Sequence, residues 1–269
     1  MEPWICVTCG VQHPQARQPP RACAICEDER QYVPVEGQGW TTLPQMRADG
    51  YRIELRGLEP GLTGVGVVPV FGIGQRALLV RTAGGNLLWD CVGYLDDDAV
   101  EAVRALGGLD AIAVSHPHFY GAMVEWSRAF GSAPIWLPTA DRAWVLRPDR
   151  AIRWWEHEAE PLRGLRLIQC GGHFDGSAVL HWPEGSGGRG ALLVGDTAHV
   201  VADRRHVSFM RSYPNHIPLP AQEVIRVADA ALRLTFDRVY GAWWDRVIAE
   251  DGQRALRRSA DRYVAAVRA

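Results

Sequence analysis

Apolar positions along the chain fall into two alternating rhythms. Residues 51–58 alternate apolar and polar side chains, and 64–71, 76–81 and 86–91 are short apolar, β-branched runs divided by glycine-rich turns. That pattern predicts an antiparallel meander of strands. Residues 96–106 switch to a 3.6-residue period: Asp96 and Asp97 open the segment and Val100, Val103 and Leu106 mark one face, so a helix is predicted. A buried strand over 111–115, a helix over 123–130, a strand over 134–137 and a helix over 140–146 follow. Strand signals return at 165–170, 178–182 and 191–194, with EGSGGRG at 184–190 read as an exposed hairpin loop. A helix over 221–232, a strand over 238–240 and an amphipathic helix over 253–267 complete the order. Strands, helices, strands, helices in two halves predict an α+β chain with sheet on sheet and helices outside.

Residues 1–36 do not share this pattern. They hold four of the six cysteines and no long apolar run, and Gly37, Gly39 and Pro44 mark 37–50 as a linker to a large domain over 51–269. The cysteines form two pairs, Cys6-x-x-Cys9 and Cys23-x-x-Cys26, separated by thirteen residues. Two such knuckles set four thiolates tetrahedrally around one structural zinc. So short a segment cannot bury enough apolar surface to fold alone, and metal binding supplies the folding energy. One CxxC alone also reads as a redox dithiol; the doubling points to zinc. His13 lies between the knuckles but is not needed as a ligand, because four sulfurs complete the shell. Cys91 and Cys170 stand in apolar surroundings and read as small buried hydrophobes.

Composition changes the picture in three ways. With 269 residues, 47% hydrophobic and 22% charged, the chain can bury a sizeable core. A formal net charge of -2 gives it no generic attraction to nucleic acid or to an anionic membrane. All 29 basic residues are Arg, which excludes Schiff-base and P-loop lysine chemistry. No stretch approaches the roughly 20 apolar residues of a membrane span, and residues 1–10 lack the regions of a signal peptide. The expected location is therefore the cytoplasm, where six cysteines stay reduced or metal-bound.

The candidate chemistry lies just after the apolar strands. Ser115-His116-Pro117-His118-Phe119-Tyr120-Gly121 follows one, Gly171-Gly172-His173-Phe174-Asp175-Gly176-Ser177 a second, Gly195-Asp196-Thr197 a third, and Asp90 ends a fourth. Polar residues in such places gather at one edge of a sheet. Three imidazoles and a carboxylate match a catalytic zinc site with one open position. In these motifs the sequence resembles the metallo-β-lactamase superfamily over about residues 51–245. His116 and His118 match the first two histidines of its H-x-H-x-D-H signature, His173 the third metal histidine, Asp196 the bridging aspartate and Asp90 the aspartate that supports the metal loop. Gly172-His173 with Gly176-Ser177 is similar to the glyoxalase II branch. The resemblance implies an αββα sandwich behind the ribbon. Tyr120 and Gly121 stand at the signature's Asp and fourth His, and no His occupies positions 240–242. Those three groups normally hold a second metal; His199 is the nearest substitute, with His206 and His216 further along.

The expected function is a hydrolase. A metal held by His116, His118 and His173 lowers the pKa of a bound water toward ~7 and polarises an acyl carbonyl. Asp196 orients the water or shares the metal, and Tyr120 donates to the developing oxyanion. The ion is zinc, with iron or manganese as the other candidates. The resemblance implies a small-molecule ester, thioester or lactone, and less readily a β-lactam. Two rivals stand beside this reading: a non-catalytic metal-binding or interaction protein using the ribbon for protein contacts, and a nuclease. Net acidity and the lack of a basic cluster argue against the nuclease.

Overall fold

A computed structural model describes residues 2–269. The first unit is a three-stranded antiparallel sheet of β1 (Pro3–Cys6), β2 (Gln12–Gln15) and β3 (Trp40–Thr41), with one helical turn, α1 (Ala24–Glu27), that begins just after Cys23 and carries Cys26. β3 pairs with β1 through Ile5↔Thr41 and Cys6↔Trp40. The stretch read as a linker is thus ordered. It holds β3 and then α2 (Leu43–Ala48), whose Thr42 Oγ1 accepts from the Gln45 amide at 3.3 Å and whose Pro44 sits in the first turn.

The main body is two sheets. The first contains seven strands: β4 (Arg52–Glu59), β5 (Leu62–Val68), β6 (Ala77–Thr82), β7 (Gly85–Trp89), β8 (Ala111–Ala113), β9 (Ile135–Pro138) and β10 (Ile152–Trp155), paired in that order. The meander β4 to β7 is antiparallel, as its period-two pattern predicts, and β7 to β10 run parallel. The crossovers carry helices α3 (Asp97–Ala105) and α4 (Met123–Ala129). Asp96 caps α3 by accepting from the Ala99 amide at 2.7 Å, and its other oxygen accepts from the Ile53 amide of β4 at 3.1 Å. The second sheet begins with β11 (Glu158–Leu162), β12 (Leu165–Gln169), β13 (Ala178–Trp182) and β14 (Ala191–Leu193). After two short hairpins, β15 (His199–Val200) with β16 (Val207–Ser208) and β17 (Met210–Ser212) with β18 (Ile217–Pro218), it is completed by β19 (Arg238–Tyr240) and β20 (Val247–Ile248). Helices α5 (Ala221–Leu232) and α6 (Gly252–Arg268) cover its outer face.

Alternation along the strands fixes the layers. Leu78, Val80, Leu87 and Trp89 of the first sheet meet Leu167, Leu180, Trp182 and Leu193 of the second in one buried cluster. Their neighbours Leu79 and Leu88 point the other way, toward Val103, Val124 and Trp126 of the helices, while Ile168 and Leu192 face Val227 and Leu256. The chain is therefore an αββα sandwich, the layering its strand pattern predicts. The loop 184–190 is only partly exposed: Ser186 is buried and its hydroxyl donates to Asp237 at 3.0 Å. Among the described residues no helix is long and apolar enough to cross a membrane.

Candidate metal centres

Strand directions bring the motifs together. β7 and β8 run parallel, and β12, β14 and β19 share one direction because β13 runs against both its neighbours. Asp90, His116, His173, Asp196 and the 241–244 loop each follow the carboxyl end of one of these strands. His116, His118, His173 and Asp196 form one buried group whose ligand atoms all lie within 4.8 Å of one another. His173 Nε2 is 3.2 Å from His118 Nδ1, and His116 Nε2 is 3.7 Å from Asp196 Oδ2. A zinc tetrahedron with bonds of ~2.0–2.1 Å has edges of about 3.4 Å, so the donors fit such an ion.

The surroundings prepare these rings as ligands. His173 Nδ1 faces the Met210 carbonyl at 3.0 Å, which places the proton there and leaves Nε2 bare. Nδ1 of His116 meets Ser115 Oγ at 2.9 Å, while its buried Nε2 has no hydrogen-bond partner, an arrangement a cation would satisfy. Burial, reinforced by the neighbouring His173, holds the pKa of His116 and of His118 well below the ordinary histidine value; burial likewise lowers that of His173. Neutral imidazole is the metal-binding form. Asp90 accepts from the Ser115 amide at 2.8 Å, so it steadies the residue that orients His116. Burial pushes the Asp90 carboxyl up to about 7.

Several contributors were not foreseen. Tyr213 places its hydroxyl 3.2 Å from the Asp196 carbonyl and 3.0 Å from that of Ser208. Asp141, fully buried, accepts from the Gly176 amide at 2.8 Å and so fixes the turn that carries His173. Arg76, 1% exposed, donates to the carbonyls of Gly241 and Trp244 and pins that loop. Only a long-range partner distinguishes it from the other 28 arginines. Trp243 lines the pocket, whereas the Trp244 indole lies so close to Gly64 and Gly66 of β5 that a Cβ there would sit 2.5 and 2.6 Å from it.

Tyr120 is a correction. It is buried 1% exposed, lines a separate small cavity with Val11, Gln12 and Arg147, and its hydroxyl has no hydrogen-bond partner. The open pocket over the histidines, about 210 Å³, is lined without it, and the oxyanion role is withdrawn. His199 stands outside the four-donor group but its Nδ1 is 3.2 Å from Asp196 Oδ1, between the rings of Tyr213 and Trp243. His216 lies exposed at the β17–β18 turn, and His206 pairs with Asp203 at 2.7 Å. The signature's fourth histidine has no room here. Gly121 has φ +48°, an added Cβ would lie 2.5 Å from the Val92 carbonyl oxygen, and its own carbonyl accepts from the Gln12 amide of β2 at 3.1 Å. Gly121→His is therefore expected to cost on the order of 2–4 kcal/mol without creating a second metal site. Urea unfolding and metal analysis check this; an extra metal equivalent at an unchanged midpoint contradicts it.

The second centre is the ribbon. Cys6, Cys9, Cys23 and Cys26 are buried and form one group, with Sγ–Sγ distances of 3.6 Å for Cys6–Cys26 and 3.7 Å for Cys9–Cys23. Four bonds of ~2.3 Å to zinc give a tetrahedron with edges of about 3.8 Å. Gln38 Nε2 donates to Cys6 Sγ at 3.0 Å, and all six cysteines are free thiols. Cys91 and Cys170 are buried as expected; burial raises both thiols, Cys170 to about 12.

Layers, loops and donor groups together define a metallo-β-lactamase fold with an N-terminal four-cysteine ribbon. Solved structures agree on the fold: DIM-1 metallo-β-lactamase matches at TM-score 0.61 and 15% identity over 80% of this chain and 98% of that one. FIM-1 from Pseudomonas aeruginosa, solved in a mono-zinc form, matches at TM-score 0.57 and 12% identity over 79% and 96%. No family model matches the chain. The chain belongs to the family of YmaE of Bacillus subtilis (strain 168), to which it is 48% identical over 266 residues, 98% of this chain and 96% of that protein.

Proposed function

We propose that the chain is a hydrolase of carboxylic acyl compounds, an ester, thioester or lactone, working with one metal ion held by His116, His118 and His173, with Asp196 beside the open position. The observation that carries this reading is the set of four converging buried side chains, with His116 Nε2 and His118 Nε2 left without hydrogen-bond partners, opening onto a pocket. An ion bound there supplies Lewis acidity toward a carbonyl and a water of lowered pKa. Asp196 orients the attacking water and accepts its proton; His199 and Tyr213 hold it from either side, one at the carboxylate and one at the backbone. A single ion suits a site in which Tyr120 and Gly121 stand at second-metal positions of the family signature and no His occupies positions 240–242. A mono-zinc form of the same fold is on record for FIM-1. A four-sulfur zinc in the ribbon is structural, with no open position for substrate.

The test is turnover of a p-nitrophenyl ester, an acyl thioester and a γ-lactone by zinc-loaded protein. Asp196→Asn, which keeps the shape of the side chain, is expected to lower kcat about 100-fold. Metal-loaded protein that turns over none of the three leaves the non-catalytic metal-binding reading standing.

A further inference from the structure

The pocket over the histidines is not built by the large domain alone. Thr8 lies inside the first cysteine knuckle and Gln31 and Tyr32 lie a few residues past the second; all three line the pocket together with Ile73, Tyr213 and Trp243. Their seating is firm. Asn215 Nδ2 donates to the carbonyls of Glu29 and Gln31, both at 2.9 Å, and Ser212 Oγ donates to that of Arg30 at 3.1 Å. The Arg30 guanidinium sits 4.2 Å from the ring centroid of Phe174, the residue after His173, and pairs with Asp28 at 2.8 Å. A single strip of ribbon backbone is thereby fastened to the loop that carries Tyr213 and to the turn that carries a metal histidine.

We infer that the ribbon is the substrate-selecting wall of this site, and that Tyr32 with Gln31 receives an uncharged, apolar or aromatic group of the acyl substrate. The inference rests on the metal-centre reading above. The lining is aromatic and aliphatic around two uncharged polar side chains, Thr8 and Gln31; no arginine lines it, and the chain has no lysine. A carboxylate or phosphate remote from the metal therefore finds no cationic partner, whereas an apolar group finds Tyr32, Ile73 and Trp243. Tyr32 is half exposed, and its removal leaves the ribbon's core untouched.

The experiment compares two metal-directed probes, acetohydroxamate and phenylacetohydroxamate, bound to the zinc-loaded full chain and read by calorimetry. In Tyr32→Ala the preference for the phenyl probe is expected to fall about tenfold. Val35→Ala, at a fully exposed ribbon position, leaves it unchanged. An equal loss for both probes in Tyr32→Ala, or an unchanged ratio, overturns the inference, as does failure of the loaded protein to bind either probe. Because binding is read without turnover, a Tyr32-dependent preference in a protein that hydrolyses nothing sinks the hydrolase reading alone. Hydrolysis with no change in preference sinks only the role of the ribbon.

Discussion

Replacing Cys23 by Ser is expected to remove one metal equivalent per chain and to release the pocket wall with it. Three thiolates and a hydroxyl hold zinc far less well than four thiolates, and in small zinc modules the metal supplies ~10–16 kcal/mol of apparent folding energy. The consequence reaches beyond the ribbon. The four cysteines belong to the same buried cluster as Val92, Phe119 and Tyr120, and the Gln12 amide donates to Gly121 in the loop that carries His116 and His118. Arg147 ties the two units again, pairing with Glu125 at 2.6 Å and donating to the Gln12 side chain. Hydrogen exchange is therefore expected to rise across 3–41 and also across 116–124, while 165–193 in the second sheet stays protected. Metal content that does not fall, or a ribbon that loses its metal with 28–32 and 116–124 still protected, contradicts this.

How far the sequence foretold this arrangement depends on the range of the physics involved. Strand alternation and helical period are local, so the meander, the helix opened by Asp96 and the Ala221–Leu232 helix were legible with ends accurate to a few residues. The four metal-site candidates were legible because each directly follows an apolar strand, and parallel strands must deliver such residues to one edge. Tyr120 failed for a local reason. Pro117–Phe119 is a 3-10 turn, and it sends the next side chain toward Val11 and Gln12 instead of the pocket. Glycines 37 and 39 suggested a linker because β3 is stabilised by Cys6 and Ile5, more than thirty residues away, which no local pattern reports. The start signal of α2, Thr42 followed by Pro44, was present and outweighed. Arg30, Arg76 and Asp141 act only through distant partners, and in a chain whose basic residues are all arginine their type marks nothing.

Substitution of His116 by Ala is expected to empty the catalytic site and lower hydrolysis by about 10³ or more, since water activation and carbonyl polarisation, worth several kcal/mol together, are lost at once. The position is the most constrained of the four. Its ring is fully buried, Ser115 Oγ holds one nitrogen at 2.9 Å and Asp90 holds the Ser115 amide at 2.8 Å, so the other nitrogen points at Asp196 with little freedom. Without that imidazole two histidines and one carboxylate remain, a set that binds a divalent ion weakly. Asp90→Asn acts at one remove and is expected to weaken metal binding about 10–100-fold with the ligands intact. Metal counting separates the two centres. The native chain should hold two equivalents, His116→Ala one, Cys23→Ser one and the double variant none. His199 decides whether a second catalytic ion exists, because its Nδ1 reaches Asp196 at 3.2 Å while Gly121 and Trp243 offer nothing beside it. A native count of three, falling to two in His199→Ala, would replace the one-ion site with a rebuilt pair; a count of two that His199→Ala does not change fits one ion oriented by Asp196, with His199 as the group that holds the carboxylate in place.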